Sequence, residues 1–191
     1  MLFVTTISSQ GKVNAAPFSY FNLMGNDPPI VSIGIGRDIS RKNGLKDSAY
    51  NIQQTREFVI NIVNESIIKQ VNLTSADFPP EFDETKAAGL TQISSAKVKP
   101  PRIKEAPAHL ECSHVSTVEV GNTRITLGEV IYLHVEKKFV DIEKNIILTE
   151  LIRPVGRMHE GGFYARTTDL FNLPRPSYKE WKEKTLTKSR N

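Results

Sequence analysis

Apolar side chains along this chain are grouped in short runs that are rich in β-branched residues. Glycine, proline or polar residues bound each run, which is typical of buried strands. The predicted strands cover residues 2–7, 16–21, 30–36, 57–63, 109–120 and 124–137. Gly121-Asn122 lies between the last two and predicts a hairpin turn there. Many short strands with few helices predict a mainly β fold, in the form of a closed or nearly closed barrel.

Helical patterns are short and few. Asp47 or Ser48 is predicted to be the N-cap of a first helix, because short polar side chains can accept hydrogen bonds from the free N–H groups of a helix start. Apolar residues at helical spacing predict a second short helix within 65–73, and a third is predicted at 83–88.

Residues 77–108 differ from the rest of the chain, since prolines, charged residues and small residues replace the strand pattern. A structured connection of this length is often a lid or an interface element, and we predict that role and not that of a domain linker. We therefore expect one domain over residues 1–173 and a separate basic tail over 174–191.

The positive charge of the chain is concentrated in this tail. The formal net charge is +4, and the tail contains six basic and two acidic residues, so residues 1–173 balance to zero. A neutral body does not favour nucleic-acid binding. We interpret the tail as a solvated terminus; contact with a phosphate-bearing partner is the alternative.

The single cysteine, Cys112, cannot form an intramolecular disulfide, which fits a reducing compartment. No apolar run reaches the 18 residues that a membrane span needs. The N-terminus has no basic region before its short apolar stretch, which argues against a signal peptide. We therefore expect a cytoplasmic protein that does not enter a membrane. The four histidines lack metal-ligand spacing, and no metal site is predicted.

The run from residue 11 to 21 fits neither an amphipathic helix nor a two-faced strand. Small residues such as Ala15 and Ala16 let a flat ligand approach the backbone, while Asn14 and Ser19 can supply hydrogen bonds. Pro17 fixes the local chain and removes a donor. The run could therefore hold a planar heteroaromatic ring; a Gly-Asn turn followed by a sheltered strand is the alternative.

A second candidate site is the predicted start of the first helix. Lys46 and Ser48 offer a cation and a hydroxyl beside free backbone N–H groups, which together suit a phosphate. Asp47 is negative and is expected to cap the helix and not to meet an anion. Arg37 and Arg41 are near in sequence and could add positive charge. An ordinary capped surface helix is the alternative.

The order of several motifs resembles the flavin reductase-like, FMN-binding split-barrel family. The opening signature is Val4-Thr5-Thr6, then Gly11, Asn14, Ala16-Pro17-Phe18-Ser19 and Phe21. Further matches extend the resemblance to about residue 165: Lys46-Asp47-Ser48-Ala49-Tyr50-Asn51-Ile52, Lys86-Ala87-Ala88-Gly89-Leu90, Pro101-Arg102-Ile103, Leu127-Gly128-Glu129-Val130 and Arg157 to Tyr164. The family's lead-in before the first strand is missing, because Met1-Leu2-Phe3 already begins that strand.

This resemblance implies an FMN-binding split β-barrel of Greek-key type with a few short helices, assembled as a homodimer. It implies a flavoprotein oxidoreductase that passes electrons from NADH, NADPH or a protein donor through FMN to a flavin or another acceptor. The alternatives are a flavoredoxin-like electron carrier without nicotinamide turnover, and a fold relative that has lost flavin. No catalytic side chain is expected. The implied FMN-binding residues are Thr5, Thr6, Asn14, Ala15, Ala16, Pro17, Ser19, Lys46, Asp47, Ser48, Arg157 and Tyr164.

Overall fold

The computed structural model describes residues 1–41, 43–76, 78, 82–159 and 161–182. Its longer strands are β1 Leu2–Ile7, β2 Val13–Phe18, β3 Phe21–Asn26, β4 Pro29–Gly36, β5 Glu57–Ile62, β8 Ala108–Val120 and β9 Thr123–Val135. Its short strands are β6 Gln92–Ile93, β7 Arg102–Ile103, β10 Val140–Asp141, β11 Ile146–Ile147, β12 Val155–Arg157 and β13 Tyr164–Arg166. Its α-helices are α1 Asp47–Thr55, α2 Ile68–Leu73, α3 Glu84–Ala87 and α4 Thr149–Ile152, and a 3₁₀ turn covers Lys137–Phe139.

The seven longer strands form one antiparallel sheet in the order β2-β1-β5-β8-β9-β4-β3. The two edge strands, β2 and β3, are consecutive in the chain, and only Ser19 and Tyr20 separate them. A flat sheet of seven strands would hold its edges roughly 30 Å apart, whereas this link can reach only about 11 Å. The sheet must therefore curl into a barrel in which the end of β2 lies beside the start of β3, although these two edge strands do not pair with each other.

Packing inside the barrel also shows that the sheet is curled, because strands far apart in the sheet order share one buried cluster. Val4 of β1 and Ile33 of β4 belong to distant parts of the sheet order but pack in one buried cluster. Phe58 and Cys112, which face each other across β5 and β8, lie in this cluster as well. Helix α1 packs against this cluster and contributes Ile52 to it. Fully burying side chains of this kind stabilises the fold by about 1.5–3 kcal/mol each.

Gly128 on β9 allows the closest packing inside the barrel. A Cβ atom at this position would lie 2.3 Å from Cζ of Phe58 and 3.4 Å from the carbonyl oxygen of Ser113. The ring of Phe58 is fully buried, so it occupies the space that any side chain at residue 128 would need.

A second core lies on the outer face of β1 and β5. Phe3 alternates with Val4 along β1 and packs in this outer cluster with Val63 and Ile103. The long connection between α2 and β8 covers that face. Its backbone is attached by the buried Asn61 of β5, whose side-chain oxygen accepts a hydrogen bond from the N–H of Ile103 at 2.8 Å.

The carboxylate of Glu111 on β8 holds another part of this connection. It is fully buried and accepts hydrogen bonds from the N–H groups of Ala96 at 2.7 Å, Lys97 at 2.6 Å and Val98 at 3.2 Å. Nε2 of His134 lies 2.5 Å from the same carboxylate. Residues 94–106 are therefore attached to the sheet by polar contacts as well as by apolar packing.

The mainly β fold and the hairpin of β8 and β9 confirm the sequence predictions. The single strand predicted at 16–21 is wrong, because Ser19 and Tyr20 form the corner between two strands. The helix predicted over 65–73 is also shorter than expected, since α2 begins at Ile68. In the predicted connection, residues 77 and 79–81 lie outside the described residues, as do 183–191 of the predicted tail.

Among the residues that the structure describes, none of the helices has the length and apolar character required to cross a membrane. The division into a domain at 1–173 and a tail at 174–191 stays a prediction.

Candidate functional site

A cavity of about 550 Å³ lies where the free edge of β2 meets the start of α1. Residues 14–18 form its β2 wall, and residues 46–48 form its α1 wall. Residues 74–76, which follow α2, close it from a third side with Phe78 and Glu84. The two segments predicted to bind a ring and a phosphate therefore face one cavity, although about thirty residues separate them in sequence.

The position of β2 at the edge of the sheet makes this wall suitable for a flat ligand. β2 pairs with β1 on one side only, so part of its backbone has no sheet partner and faces the cavity. Ala15, Ala16 and Pro17 have short side chains that leave this backbone accessible. The wall therefore offers backbone hydrogen-bonding groups to the edge of a planar ring.

Four polar side chains connect the two walls. Nδ2 of Asn14 donates to Oγ of Ser48 at 2.9 Å and lies 3.3 Å from Oγ1 of Thr6. The same hydroxyl of Thr6 accepts from Nδ2 of Asn51 on α1 at 3.1 Å. Thr6, Ser48 and Asn51 are buried. This network fixes β2 against α1 and so sets the width of the cavity.

The first turn of α1 leaves backbone donors for a ligand. Lys46 is the N-cap residue, and within the described residues no side chain caps this helix. The prediction that Asp47 or Ser48 is the N-cap is therefore wrong. The carboxylate of Asp47 pairs with the guanidinium of Arg41, and Ser48 accepts from Asn14. The N–H groups at the helix start and the ammonium of Lys46 thus provide positive potential at one end of the cavity.

Charged groups of both signs surround this end. Arg41 bridges Asp38, at 3.0 Å, and Asp47, and all three line the cavity. Burial raises the pKa of Glu84, which also lines it, and the charges of Asp83 and Asp47 act in the same direction. Arg41 is already paired with two carboxylates of the cavity. Lys46 also lines the cavity, and the described residues give it no ion pair.

Thr5 and Thr6 do not line the cavity, but their hydrogen bonds hold neighbouring segments in place. Thr5 is fully buried, and its hydroxyl donates to the carbonyl oxygen of Pro101 at 2.5 Å, which holds the connection over the outer face. Thr6 acts through the polar network described above. Ser19 lies exposed in the corner between β2 and β3 and does not line the cavity.

Arg157 and Tyr164 also lie outside the cavity lining. They face each other on the β12–β13 hairpin, with Cζ of Arg157 5.8 Å from the ring centre of Tyr164. The hydroxyl of Tyr164 donates to Oδ1 of Asn72 on α2 at 3.0 Å. The pair therefore supports the helix that leads into residues 74–76, and a direct contact with flavin stays a prediction.

Sequence reasoning missed part of the site. Residues 74–76, Phe78 and Glu84 carry no local motif, and the fold brings them to the cavity from a distant stretch of chain. Asn51 had a signal, because it belongs to the Lys46–Ile52 motif, but its buried hydrogen bond to Thr6 could be recognised only in the structure.

Comparisons with known proteins show the family of this chain. The family model described as "Flavin reductase like domain" matches residues 1–145. An uncharacterised protein of Deinococcus radiodurans is 41% identical over 172 residues, which cover 89% of this chain and 74% of the relative.

Two solved structures show the same likeness in three dimensions. Component B of nitrilotriacetate monooxygenase from Bacillus cereus is similar with a TM-score of 0.83 and 31% identity, covering 90% of this chain and 85% of the other. A protein with a split barrel domain from Shewanella frigidimarina is similar with a TM-score of 0.80 and 25% identity, covering 92% and 85%. The expected split barrel is thereby confirmed, and the chain belongs to the family of proteins with a flavin reductase-like domain.

Proposed function

We propose that this protein is an FMN-binding oxidoreductase that holds the flavin in the cavity between β2 and α1. The observation that carries the proposal is the meeting of two complementary walls in one cavity of about 550 Å³. One wall is an edge strand with short side chains, and the other is a helix start beside the exposed Lys46. FMN needs both, because it has a flat ring at one end and a phosphate at the other.

The phosphate end fits the residues present. The first-turn N–H groups of α1 have no side-chain cap among the described residues, and Lys46 is exposed beside them. A helix start binds phosphate through such N–H groups and through its dipole. Ser48 adds a hydroxyl, which Asn14 holds in place through a hydrogen bond of 2.9 Å. Lys46 and Ser48 would therefore hold the phosphate, as the sequence predicts.

The ring end fits the edge of β2. Asn14, Ala15, Ala16 and Pro17 line the cavity, and their backbone is not covered by large side chains. Backbone N–H groups directed at a ring edge stabilise negative charge that develops there. Residues 74–76 and Phe78 line a further side of the cavity.

Bound FMN would supply the electron- and hydride-accepting ring, for which no amino-acid side chain substitutes. The chain's own residues bind this ring, orient it and leave one part of it accessible to a donor. The proposed donors are NADH, NADPH or a redox protein, and the proposed acceptors are a free flavin or another oxidised partner. This division of roles agrees with the expectation that no side chain acts as a catalytic group.

We also propose that the protein is a homodimer in the cytoplasm. β3 is an edge strand with exposed apolar side chains, among them Leu23 at 68% and Met24 at 61% exposure. Exposed apolar residues grouped on an edge strand favour association with another chain. Since β3 follows the β2 wall directly, a second subunit bound there would lie close to the cavity.

Spectroscopy of the purified protein tests the function directly. We expect flavin absorbance bands, or their appearance when FMN is added to the colourless apoprotein. Anaerobic titration with NADH and NADPH should then bleach these bands and, when free flavin is added, give continuous turnover. Failure to bind any flavin would overturn the proposal.

The same experiment separates the two redox alternatives. Reduction by a partner protein without oxidation of NADH or NADPH would identify a flavoredoxin-like electron carrier and exclude the reductase. Dithionite serves as the control reductant, because it shows that the bound flavin can be reduced at all.

A further inference from the structure

A cavity of about 390 Å³ lies between the short strands β6 and β7 and the paired ends of β8 and β9. We refer to it as the outer cavity. No described residue lines both this cavity and the proposed flavin cavity. Ligand sites in proteins commonly have volumes of about 300–1,000 Å³, so the outer cavity is large enough for a small molecule.

Two cations line the outer cavity. The guanidinium of Arg102 is held by the carbonyl oxygen of Ser94, which accepts from Nη2 at 2.9 Å and from Nε at 3.2 Å. Its Nη1 donates to no atom of the described residues, so one end of the guanidinium remains for a ligand. Lys104 is exposed and has no ion pair within the described part of the chain.

The charges around the outer cavity favour a monoanion over a dianion. Glu136 lines the cavity too, but Lys138 pairs with it at 2.6 Å. Glu111 lies behind Arg102, with Oε1 4.0 Å from Nε. Each of these carboxylates is therefore offset by one cation, and the charge of Lys104 remains. A ligand with a single negative charge balances it, whereas a second negative charge would be repelled by the two carboxylates.

His109 has an unused hydrogen-bonding atom at this cavity. The residue is 5% exposed, and it lies on the outer face of β8 because its neighbour Leu110 packs toward the inner cluster. Nε2 lies 2.8 Å from the carbonyl oxygen of Ile103, which can only accept, so Nε2 carries a proton. Nδ1 is buried and has no hydrogen-bond partner among the described residues. A proton on Nδ1 would turn it into a donor for an anion.

An anion in the outer cavity would change the protonation of His109. Burial lowers the pKa of its ring, and the charges of Arg102 and His134 act in the same direction, while the hydrogen bond with Ile103 and the charge of Glu136 oppose them. The empty ring is therefore neutral at pH 7. A bound carboxylate favours the charged ring, so binding takes up a proton from the solvent, and the affinity should fall as the pH rises.

Aromatic and apolar side chains form the rest of the outer cavity. The ring of Tyr132 is 41% exposed, and its centre lies 4.7 Å from that of His134. Ala106 and Val135 add apolar surface. A flat aromatic ring can stack on Tyr132 or meet it edge to face, which an aliphatic ring cannot do.

We propose that the outer cavity is a binding site for a small aromatic carboxylate. Arg102, Lys104 and the protonated ring of His109 hold its carboxylate group, and Tyr132 contacts its ring. This ligand binds independently of the flavin, since the two cavities share no described residue. It lies between β7 and β9 and therefore stabilises the attachment of the long connection to the sheet.

The experiment is an NMR titration of the isotope-labelled full chain with benzoate at pH 6 and at pH 8. A ligand of this size should bind at pH 6 with a dissociation constant of about 1 mM. Signals of residues 102–109 and 132–135 should shift, and the affinity should be about ten-fold lower at pH 8. Equal affinity at the two pH values, or shifts confined to other residues, would overturn the inference.

Related probes separate the contributions of the charge and of the ring. Benzamide has the shape of benzoate without its charge and should bind about ten-fold more weakly. Cyclohexanecarboxylate keeps the charge but has no aromatic ring and should bind about three-fold more weakly. Tighter binding of inorganic phosphate than of benzoate would refute the proposal. Displacement of benzoate by FMN would place benzoate in the flavin cavity and refute it as well.

Three variants test the assigned side chains. Lys104→Ala should weaken benzoate by about ten-fold and should fold normally, because Lys104 is exposed. Tyr132→Leu should weaken benzoate by about three-fold and leave cyclohexanecarboxylate unchanged. His109→Gln keeps a donor for the carbonyl oxygen of Ile103 but cannot titrate, so its affinity should be the same at pH 6 and pH 8.

Lys179→Ala is the matched control, since Lys179 is an exposed lysine outside both cavities, and the described residues give it no ion pair. Thermal unfolding shows whether each variant is folded. Benzoate affinity that stays unchanged in folded Lys104→Ala and Tyr132→Leu would overturn the inference.

Discussion

Lys46 and Ser48 are neighbours in the sequence but have different environments, and this difference determines their roles. Ser48 is 3% exposed and accepts a hydrogen bond from Asn14, so it helps to hold β2 against α1 as well as facing the cavity. Lys46 is exposed at the cavity rim, and its charge is available to a ligand. A substitution of Lys46 should therefore affect binding and not folding.

We predict that Lys46→Ala weakens FMN by about ten-fold and riboflavin by much less, because the lost charge acts on the phosphate that riboflavin lacks. Fluorescence quenching titrations of both ligands measure the two affinities. Lys99→Ala, at an exposed lysine outside the cavity lining, is the control. An equal loss for FMN and riboflavin would refute the phosphate role.

Gly128 has no part in the cavity but limits the barrel interior. We predict that Gly128→Ala destabilises the fold by about 1–3 kcal/mol, because the added Cβ would lie 2.3 Å from the buried ring of Phe58. Urea unfolding measures the change in the free energy of unfolding. Gly36→Ala is the matched control, since a Cβ there meets nothing within 4 Å.

A double variant tests the cause of this effect. Phe58→Leu removes the ring atoms in conflict, so the cost of Gly128→Ala should fall markedly in that background. Simple additivity of the two substitutions would show that the ring of Phe58 is not what excludes a side chain at residue 128.

The predicted site residues that line the cavity are those whose motifs are local, and their contact with a flavin stays a prediction. Asn14–Pro17 and Lys46–Ser48 could be recognised because their motifs are continuous in the sequence, and both line the cavity. The motif does not show which of Thr5 and Thr6 faces the site. Their side chains lie on opposite faces of β1, because side chains alternate along a strand. Glu84 carries no motif, and only the fold brings it to the site.

The connection before β8 shows how one side chain can hold an irregular element. Residues 92–106 contain only the two-residue strands β6 and β7, so they cannot rely on a long ladder of hydrogen bonds. The buried carboxylate of Glu111 supplies acceptors to three consecutive N–H groups of this segment. Without that carboxylate the N–H groups of residues 96–98 would lose their partners inside the protein.

This contact predicts a specific loss of stability in acid. Burial raises the pKa of Glu111, but hydrogen bonds from Ala96, His134 and Lys97 outweigh burial, so that the pKa lies below its ordinary value. Stability from a lowered pKa is present above the unfolded value, about 4.3, and is lost as the pH falls through the lower folded value. Urea unfolding between pH 7 and pH 3 measures it.

Glu111→Gln should lower the stability at pH 7 by about 2 kcal/mol, because a neutral amide replaces a charged acceptor. It should also flatten the acid dependence relative to the unsubstituted protein. Glu143→Gln, at an exposed turn, is the control and should change neither quantity. An acid dependence unchanged in Glu111→Gln would show that other carboxylates determine it.

The elements themselves were predictable to different degrees. Alternating and β-branched runs gave the strands of the sheet, because burial imposes that pattern locally. The corner at Ser19 and Tyr20 was missed, since these residues interrupt an apolar run without a glycine or a proline of their own. The position of residues 94–106 over the outer face could not be predicted, because Glu111 of β8 attaches this segment through its side chain and not through a local sequence pattern.

At the scale of the whole molecule, exposed apolar side chains are grouped on the edge strand β3. Leu23 lies opposite Val31 of β4, on the face that turns inward elsewhere in the barrel, but it is 68% exposed. Its neighbour Met24 is 61% exposed. A monomer rarely leaves such a strand edge uncovered.

We therefore predict a dimer in sedimentation velocity experiments, and we predict that Leu23→Glu with Met24→Glu shifts it to the monomer. FMN affinity should fall in the same variant if the second subunit completes the cavity. Ile142→Glu, at an exposed apolar residue of the β10–β11 turn and outside the cavity lining, is the control. A monomeric unsubstituted protein that still binds FMN tightly would contradict the dimer.

The two-residue corner between the sheet edges has a consequence for the speed of folding. The barrel closes through pairings between residues that are far apart in the sequence, such as Ile30 with Glu129 and Thr5 with Val59. Loop closure over such separations must come before the contacts that stabilise it, so proteins of this topology fold in milliseconds to seconds and not microseconds. We expect the hairpin of β8 and β9 to form early and the β4–β9 pairing late. Until that late pairing forms, the two walls of the cavity are not yet in place, so the proposed flavin should bind only at the end of folding.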